Sequence, residues 1–324
     1  MIPRRNFLHL AAGACALPAA SCAVWAQTYP NRPVRWIVGF TPAGGNDIVA
    51  RLTAQWLSDR LGQSFVIENR PGAGTNIAAE AVVNAPPDGY TLFLANMSNA
   101  INATLYEKLN FNFMRDIAPV AGISRAPLIM AVNLSVPART VPEFIAHAKA
   151  NPGKVNMASA GIGSAGHLAG ELFMLMTGVR LVHVPYRGNA PALTDLIAGQ
   201  VEVLFPSAGS SIEYVRTAKV RALAVTGTTR LDALPDLPTV SDSVPGYEAS
   251  SFYGIGAPRN TPAEIVDTLN QAVNAALTDP KMKTRLADIG STPLPGSPAD
   301  FGKLIADETE KWAKVIKFAG IKAQ

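Results

Sequence analysis

The sequence predicts an α/β protein of two domains linked by a double crossover. Three observations lead there. A chain of 324 residues exceeds what one ordinary hydrophobic core organises, so it divides. One unit recurs along it: an apolar strand, a loop containing glycine, then a helix, which is the grammar of parallel sheets covered on their faces. Proline-rich loops around Pro235, Pro238 and Pro245 then precede a further strand, Phe252 to Ala257, so the second domain reads as an insertion into the first. The crossings fall near Pro127 and Ser250, giving residues 27–127 with 250–324 as domain 1 and 128–249 as domain 2. A double crossover makes a natural hinge.

The first unit is the strand Val34 to Phe40, the loop Thr41 to Asn46, and a helix from Asp47. In that helix Ile48, Leu52, Trp56, Leu57 and Leu61 recur at helical spacing until Gly62 stops it. The second is Phe65 to Ile67, the loop Asn69 to Gly74, and a helix to about Asn84; the turn Pro87-Asp88-Gly89 leads to a strand from Tyr90 to Ala95. The middle of the chain repeats this with Val155 to Met157, a loop through Gly161 and Gly163, and a helix to Met176. Strands follow at Val182 to Tyr186, Val203 to Phe205 and Val220 to Val225. Thr140, Thr261 and Ser297 each stand three residues before a carboxylate with proline between, which predicts capped helix starts. The last helix places Phe301, Leu304, Ile305, Trp312, Val315 and Ile316 on one face, so it packs rather than trails.

The N-terminus carries an address. Arg4-Arg5-Asn6-Phe7-Leu8 opens an Ala-rich apolar stretch to Ala20, and Val24-Trp25-Ala26 precedes a cut at Gln27. This is the pattern of a twin-arginine secretory signal over residues 1–26, with the periplasm as destination. The apolar run is too short to span a bilayer, which takes about 20 apolar residues. Both cysteines, Cys15 and Cys22, lie in the leader, so the exported chain has no disulfide, thiol nucleophile or thiolate metal site; lipidation at Cys22 is the alternative, with Ala19 where a lipobox usually has leucine. The formal charge of +4 becomes +2 without Arg4 and Arg5, too little for a nucleic-acid surface.

Three glycine loops precede helices: Thr41 to Asn46, Pro71 to Gly74 and Gly161 to Ser164. First-turn amides are unpaired and carry partial positive charge, and glycine lets a ligand approach the backbone. Facing one cleft, such loops form an anion clamp; otherwise they are ordinary strand-to-helix turns. Ser164 lacks the preceding glycine of a nucleophile elbow, because position 162 is Ile162. His147 reads as a solvated helix residue, His183 as strand core, and His167 as a pocket hydrogen-bonding group beside Ser164. No cluster has metal-ligand spacing, and the Gly72 to Ile77 segment lacks the third glycine of a dinucleotide fingerprint. No metal, cofactor or enzymatic activity is therefore expected. Arg187 is either a direct carboxylate partner or a surface arginine.

Several segments taken in order resemble a known family: Tyr29 to Val34, Val38 to Arg51, Glu68 to Gly74, Pro87 to Leu92, and Val184 to Gly188. Together they resemble the extracytoplasmic solute receptors of tripartite tricarboxylate transporters, the Bug-type receptors, across essentially the whole exported chain. The resemblance implies a type II periplasmic-binding fold that closes like a flytrap on a mono-, di- or aromatic carboxylate, partly through bridging waters. It also implies delivery to a membrane permease. A monomer is expected of a clamp whose halves move. By position, the first-domain site is Phe40, Pro42, Ala43, Gly44, Asn46, Asp47 and Ser98, and the second-domain site is Ser159, Gly163, Ser164, His167 and Tyr186. Asp47 is assigned to helix-end stabilisation and water positioning. Ser207 stands where relatives carry Asp or another polar residue, a departure at the distal contact. The alternatives are a secreted serine hydrolase using Ser164 or Ser159, and a ligand-sensing input protein with the same clamp.

Overall fold

Two sheets organise the computed structural model, which describes residues 29–106 and 108–321; the predicted leader and Cys22 lie outside the described residues. The chain begins with β1 (Val34–Val38), α1 (Gly45–Leu61), β2 (Phe65–Asn69), α2 (Asn76–Val83), β3 (Thr91–Asn96), α3 (Met97–Leu105), α4 (Phe113–Asp116) and β4 (Ile117–Pro127). It crosses into β5 (Ile129–Val132), α5 (Val141–Ala150), β6 (Val155–Ser159), α6 (Ala165–Thr177), β7 (Leu181–Pro185), α7 (Asn189–Ala198), β8 (Val203–Leu204), α8 (Ala208–Arg216) and β9 (Arg221–Val225). It returns through β10 (Ser250–Pro258), α9 (Ala263–Thr278), α10 (Pro280–Asp288), β11 (Thr292–Pro293) and α11 (Pro298–Ala319). The first lobe's sheet has the order β11-β4-β10-β3-β1-β2, and the second lobe's β7-β6-β8-β5-β9.

The expectation of parallel sheets needs correction. β1 pairs in parallel with β2 and β3, and β6 with β7 and β8, but β10 runs against β3 and β4, and β5 against β8 and β9. The reversed strands β5 and β10 are the ones by which the chain arrives from the other lobe, so the crossovers impose the reversal. The short edge strand β11 also runs against β4.

Three apolar clusters fill the layers. One joins Trp36, Val38 and Leu57 to α9 and α10, and a second lies under α7 and α8. The largest runs unbroken from Phe93 through Phe252 and Trp312 to Phe173 and Phe205, so both sheets share it along the back. The predicted inward face of α11 is buried at Phe301, Ile305, Trp312 and Ile316. Trp312 donates its indole N–H to Glu308, whose carboxylate also accepts from Arg125.

Helix ends follow the punctuation with one exception. Gly62 adopts the left-handed conformation that ends α1, Ser297 and Asp300 form a reciprocal capping box on α11, and the Thr140 hydroxyl accepts the Glu143 N–H. Thr261 does not cap α9: Pro262 holds that place, and the Thr261 hydroxyl donates to the Pro258 carbonyl at 2.7 Å, closing its own turn.

Thr226, just past β9, ties the two crossings together. Its hydroxyl accepts the Leu128 N–H at 2.7 Å and donates to the Ala249 carbonyl; its own N–H bonds Leu128 O, and its carbonyl takes the Ala249 N–H. Among the described residues no helix is long and apolar enough to cross a membrane.

Candidate ligand-binding cleft

Between the lobes lies a small cavity of about 20 Å³. The first lobe lines it with Phe40 and Asn46 before and within α1, Asn96 and Ser98 at the start of α3, and Ser251 and Tyr253 on β10. The second contributes Ala160, the Ser164-Ala165-Gly166 start of α6, Asn189 at the start of α7, and Phe205 and Ser207 before α8; Leu128 comes from the crossing. Larger grooves lie outside, about 740 Å³ beside α1 and α10 and about 720 Å³ behind the crossings. What distinguishes the small cavity is that the first turns of α1, α3, α6, α7 and α8 converge on it.

The sequence folds that way because each of these helices follows the C-terminal end of a strand, the edge where α/β sheets gather their loops. Capping separates the five. Asn96 caps α3 and Ser164 caps α6, but α1, α7 and α8 have no side-chain cap at Gly44, Gly188 and Ser207. Uncapped first turns present N–H donors and the positive end of the helix dipole. No lining residue carries a formal charge. The first-turn amides thus give the cavity a positive character through backbone alone, and buried Asn46 Oδ1 has no hydrogen-bond partner.

Of the residues anticipated from sequence, Phe40, Asn46, Ser98, Ser164 and Ser207 come together on this cavity. Pro42 and Ala43 are exposed beside it, and Gly44 is the N-cap of α1. Asp47 is buried behind the loop. Its carboxylate accepts the Ala43 N–H at 3.0 Å, Asn69 Nδ2 at 2.9 Å and Arg51 Nε at 2.8 Å. Burial works to raise its pKa, but the hydrogen bonds from Arg51, Ala43 and Asn69 outweigh it, and the group sits below the ordinary carboxylate value.

Ser159, Gly163 and His167 form a corresponding support in the second lobe. The Ser159 hydroxyl accepts the Gly161 N–H at 3.1 Å and shares a 2.6 Å hydrogen bond with His183 Nε2. The His183 ring stacks on His167 with centroids 3.9 Å apart, and His167 Nδ1 accepts the Gly163 N–H at 3.2 Å while Nε2 faces Glu171 Oε1 at 3.3 Å. Burial, then the neighbouring His167, pushes the His183 pKa down to about 3, so the His183 ring is neutral. Tyr186 turns its hydroxyl to Asp195 at 2.6 Å, and Arg187 is exposed. Ser159 does meet a histidine, but it is fully buried and does not line the cavity, so no substrate carbonyl reaches it.

Sequence reasoning passed over Asn96, Asn189 and Tyr253. Asn189 follows a strand and a glycine as Asn46 does, so the same pattern could have found it. Tyr253 lies in an uninterrupted apolar strand with no local signal; its hydroxyl reaches Ser207 and Ser251, and burial raises its pKa.

Comparison with known proteins agrees with this architecture. A sequence model described as "Tripartite tricarboxylate transporter family receptor" matches residues 49–321. The solved structure "R. palustris Rpa4515 with adipate" is 40% identical, with a TM-score of 0.89 over 91% of this chain and 99% of that one. The periplasmic binding protein BugD is 33% identical, TM-score 0.88, over 91% of this chain and 100% of its own. MatC (Rpa3494) from Rhodopseudomonas palustris, solved with bound malate, is 32% identical, TM-score 0.85, over 89% and 100%. The two-lobed, double-crossover α/β fold is that of these periplasmic binding proteins, and the chain belongs to the tripartite tricarboxylate transporter receptor family.

Proposed function

We propose that this chain is an exported, monomeric receptor that captures a small carboxylate between its lobes and delivers it to the membrane permease of a tripartite tricarboxylate-type transporter. The observation that carries the reading is the convergence of three uncapped helix starts on a cavity without a charged side chain. Closing the lobes brings like partial charges head to head, and an anion between them relieves that cost. The adipate and malate bound by two structural neighbours support a dicarboxylate as the first class to test. Phe40, Asn46, Ser98, Ser164 and Ser207 would surround the ligand, with Asp47, Ser159, Gly163 and His167 holding the loops. The family's receptor role and the buried position of Ser159 argue against hydrolysis. The leader over residues 1–26 supports a periplasmic location.

A thermal-shift screen of carboxylates against neutral sugars tests this. At 100 times its dissociation constant a ligand adds about 2.7 kcal/mol, which raises the melting temperature by roughly 5 °C or more. A shift with sugars and none with any carboxylate would overturn the anion clamp. Gly44→Asp supplies α1 with a good N-cap but puts a like charge beside the cavity, at the helix start proposed to hold the anion, so calorimetry should show affinity falling about a hundredfold or more with the fold retained. Unchanged affinity would move the site elsewhere.

A further inference from the structure

Gly45 and Gly188 are glycines that their own backbone does not require. Gly45 is the first residue of α1, where glycine is among the poorest helix formers. Gly188, at φ 163°, is extended in a way any residue adopts. The reason for glycine lies across the cleft. A Cβ on Gly45 would stand 2.1 Å from Ser207 Oγ, 2.8 Å from Ser207 Cβ and 3.1 Å from the Tyr253 hydroxyl. A Cβ on Gly188 would stand 2.2 Å from Thr41 Oγ1 and 3.3 Å from Thr41 Cβ. The contacts run in opposite directions: a first-lobe glycine receives a second-lobe side chain, and a second-lobe glycine receives a first-lobe one. Thr41 Oγ1 is buried there without a hydrogen-bond partner, so that contact is held by shape rather than by bonding.

We propose that Gly45 and Gly188 are positioning residues that set ligand affinity by permitting full lobe closure, each serving as the socket for a side chain of the opposite lobe. A methyl group at either acts as a spacer. It leaves each lobe's fold and the first-turn amides of α1 intact and penalises only the closed arrangement. Affinity then falls by the lost closed fraction, mainly through faster dissociation. This rests on the proposed binding of a carboxylate between the lobes.

The test compares Gly45→Ala and Gly188→Ala with the same changes made in Ser207→Gly and Thr41→Gly backgrounds, where the opposing side chains are gone. Adipate and malate are titrated by calorimetry, and small-angle scattering reads the radius of gyration with and without each acid. Each single variant should weaken binding by about tenfold or more, the usual scale of one methylene forced into a packed contact. The loss should shrink in the matching background. The ligand-free melting temperature of Gly45→Ala should not fall, because alanine favours the helix. Wild-type affinity in both variants, or an equal loss with and without the opposing side chain, would overturn the proposal. If neither acid binds the wild type, the choice of these two dicarboxylates fails by itself and scattering decides closure. Larger radii in the variants, reversed in the double variants, would sustain the socket role, and superimposable profiles would overturn it.

Discussion

In the first lobe the loop before α1 is held from behind by an ionised carboxylate; in the second, the loop before α6 is held by two stacked histidines. Asp47 gathers a backbone N–H, an amide and a guanidinium, whereas His167 and His183 work through a ring stack, one Gly163 N–H and the Ser159 hydroxyl. Neither support lines the cavity, so the carboxylate and the histidine pair stay one layer back and the lining carries no formal charge. The two supports therefore respond to acid in different ranges. Asp47 has a lowered folded pKa, so its stabilisation is complete above the ordinary carboxylate value of 3.8 and drains away as pH falls through the lowered value. His183 is kept neutral down to about 3 while the unfolded chain protonates near 6.5, so the second lobe loses stability as pH drops from 6.5 towards 3.

The largest expected effect is on the first lobe. Asp47→Ala should cost about 3 kcal/mol in urea unfolding, since it strips a buried loop of three hydrogen bonds to a charged group, with the half-exposed Arg51 contributing least. A loss below roughly 1 kcal/mol would make the carboxylate support dispensable. Next, lowering the pH from 6.5 to 5 should remove about 2 kcal/mol through His183 alone, and His183→Gln should flatten that slope. A slope unchanged in the variant would assign the acid sensitivity elsewhere. The smallest effect sharpens the contrast with helices far from the cleft: Ser297→Ala deletes the α11 capping box and should cost about 1 kcal/mol with no change in ligand affinity. An affinity change there would mean that α11 reports to the cleft.

Much of this was legible locally. Gly62 and Ser297 could be placed because a left-handed stop and a reciprocal cap involve only neighbours along the chain. Thr261 carried the same spelling, yet its hydroxyl found a nearer acceptor in Pro258 O, a choice set by how β10 ends. The parallel sheets were half legible: strand-to-helix alternation identifies β1 to β3 and β6 to β8, but the reversal of β5 and β10 follows from where the chain re-enters a lobe. In the cleft, Asn46 and Ser164 sit at helix starts the glycine-loop pattern marks, whereas Ser98 and Ser207 are reached only through the family resemblance. Tyr253 arrives from far along the chain on a strand that carries only apolar signals. Tyr186 and His167 are assigned to the site because they flank the right loops; which protein groups their polar atoms meet, Asp195, Gly163 and Glu171, depends on tertiary packing that the sequence does not spell out.

Thr226 fastens the outgoing segment at Leu128 to the returning one at Ala249. Because one residue bonds both segments, a backbone change at either crossing is passed directly to the other.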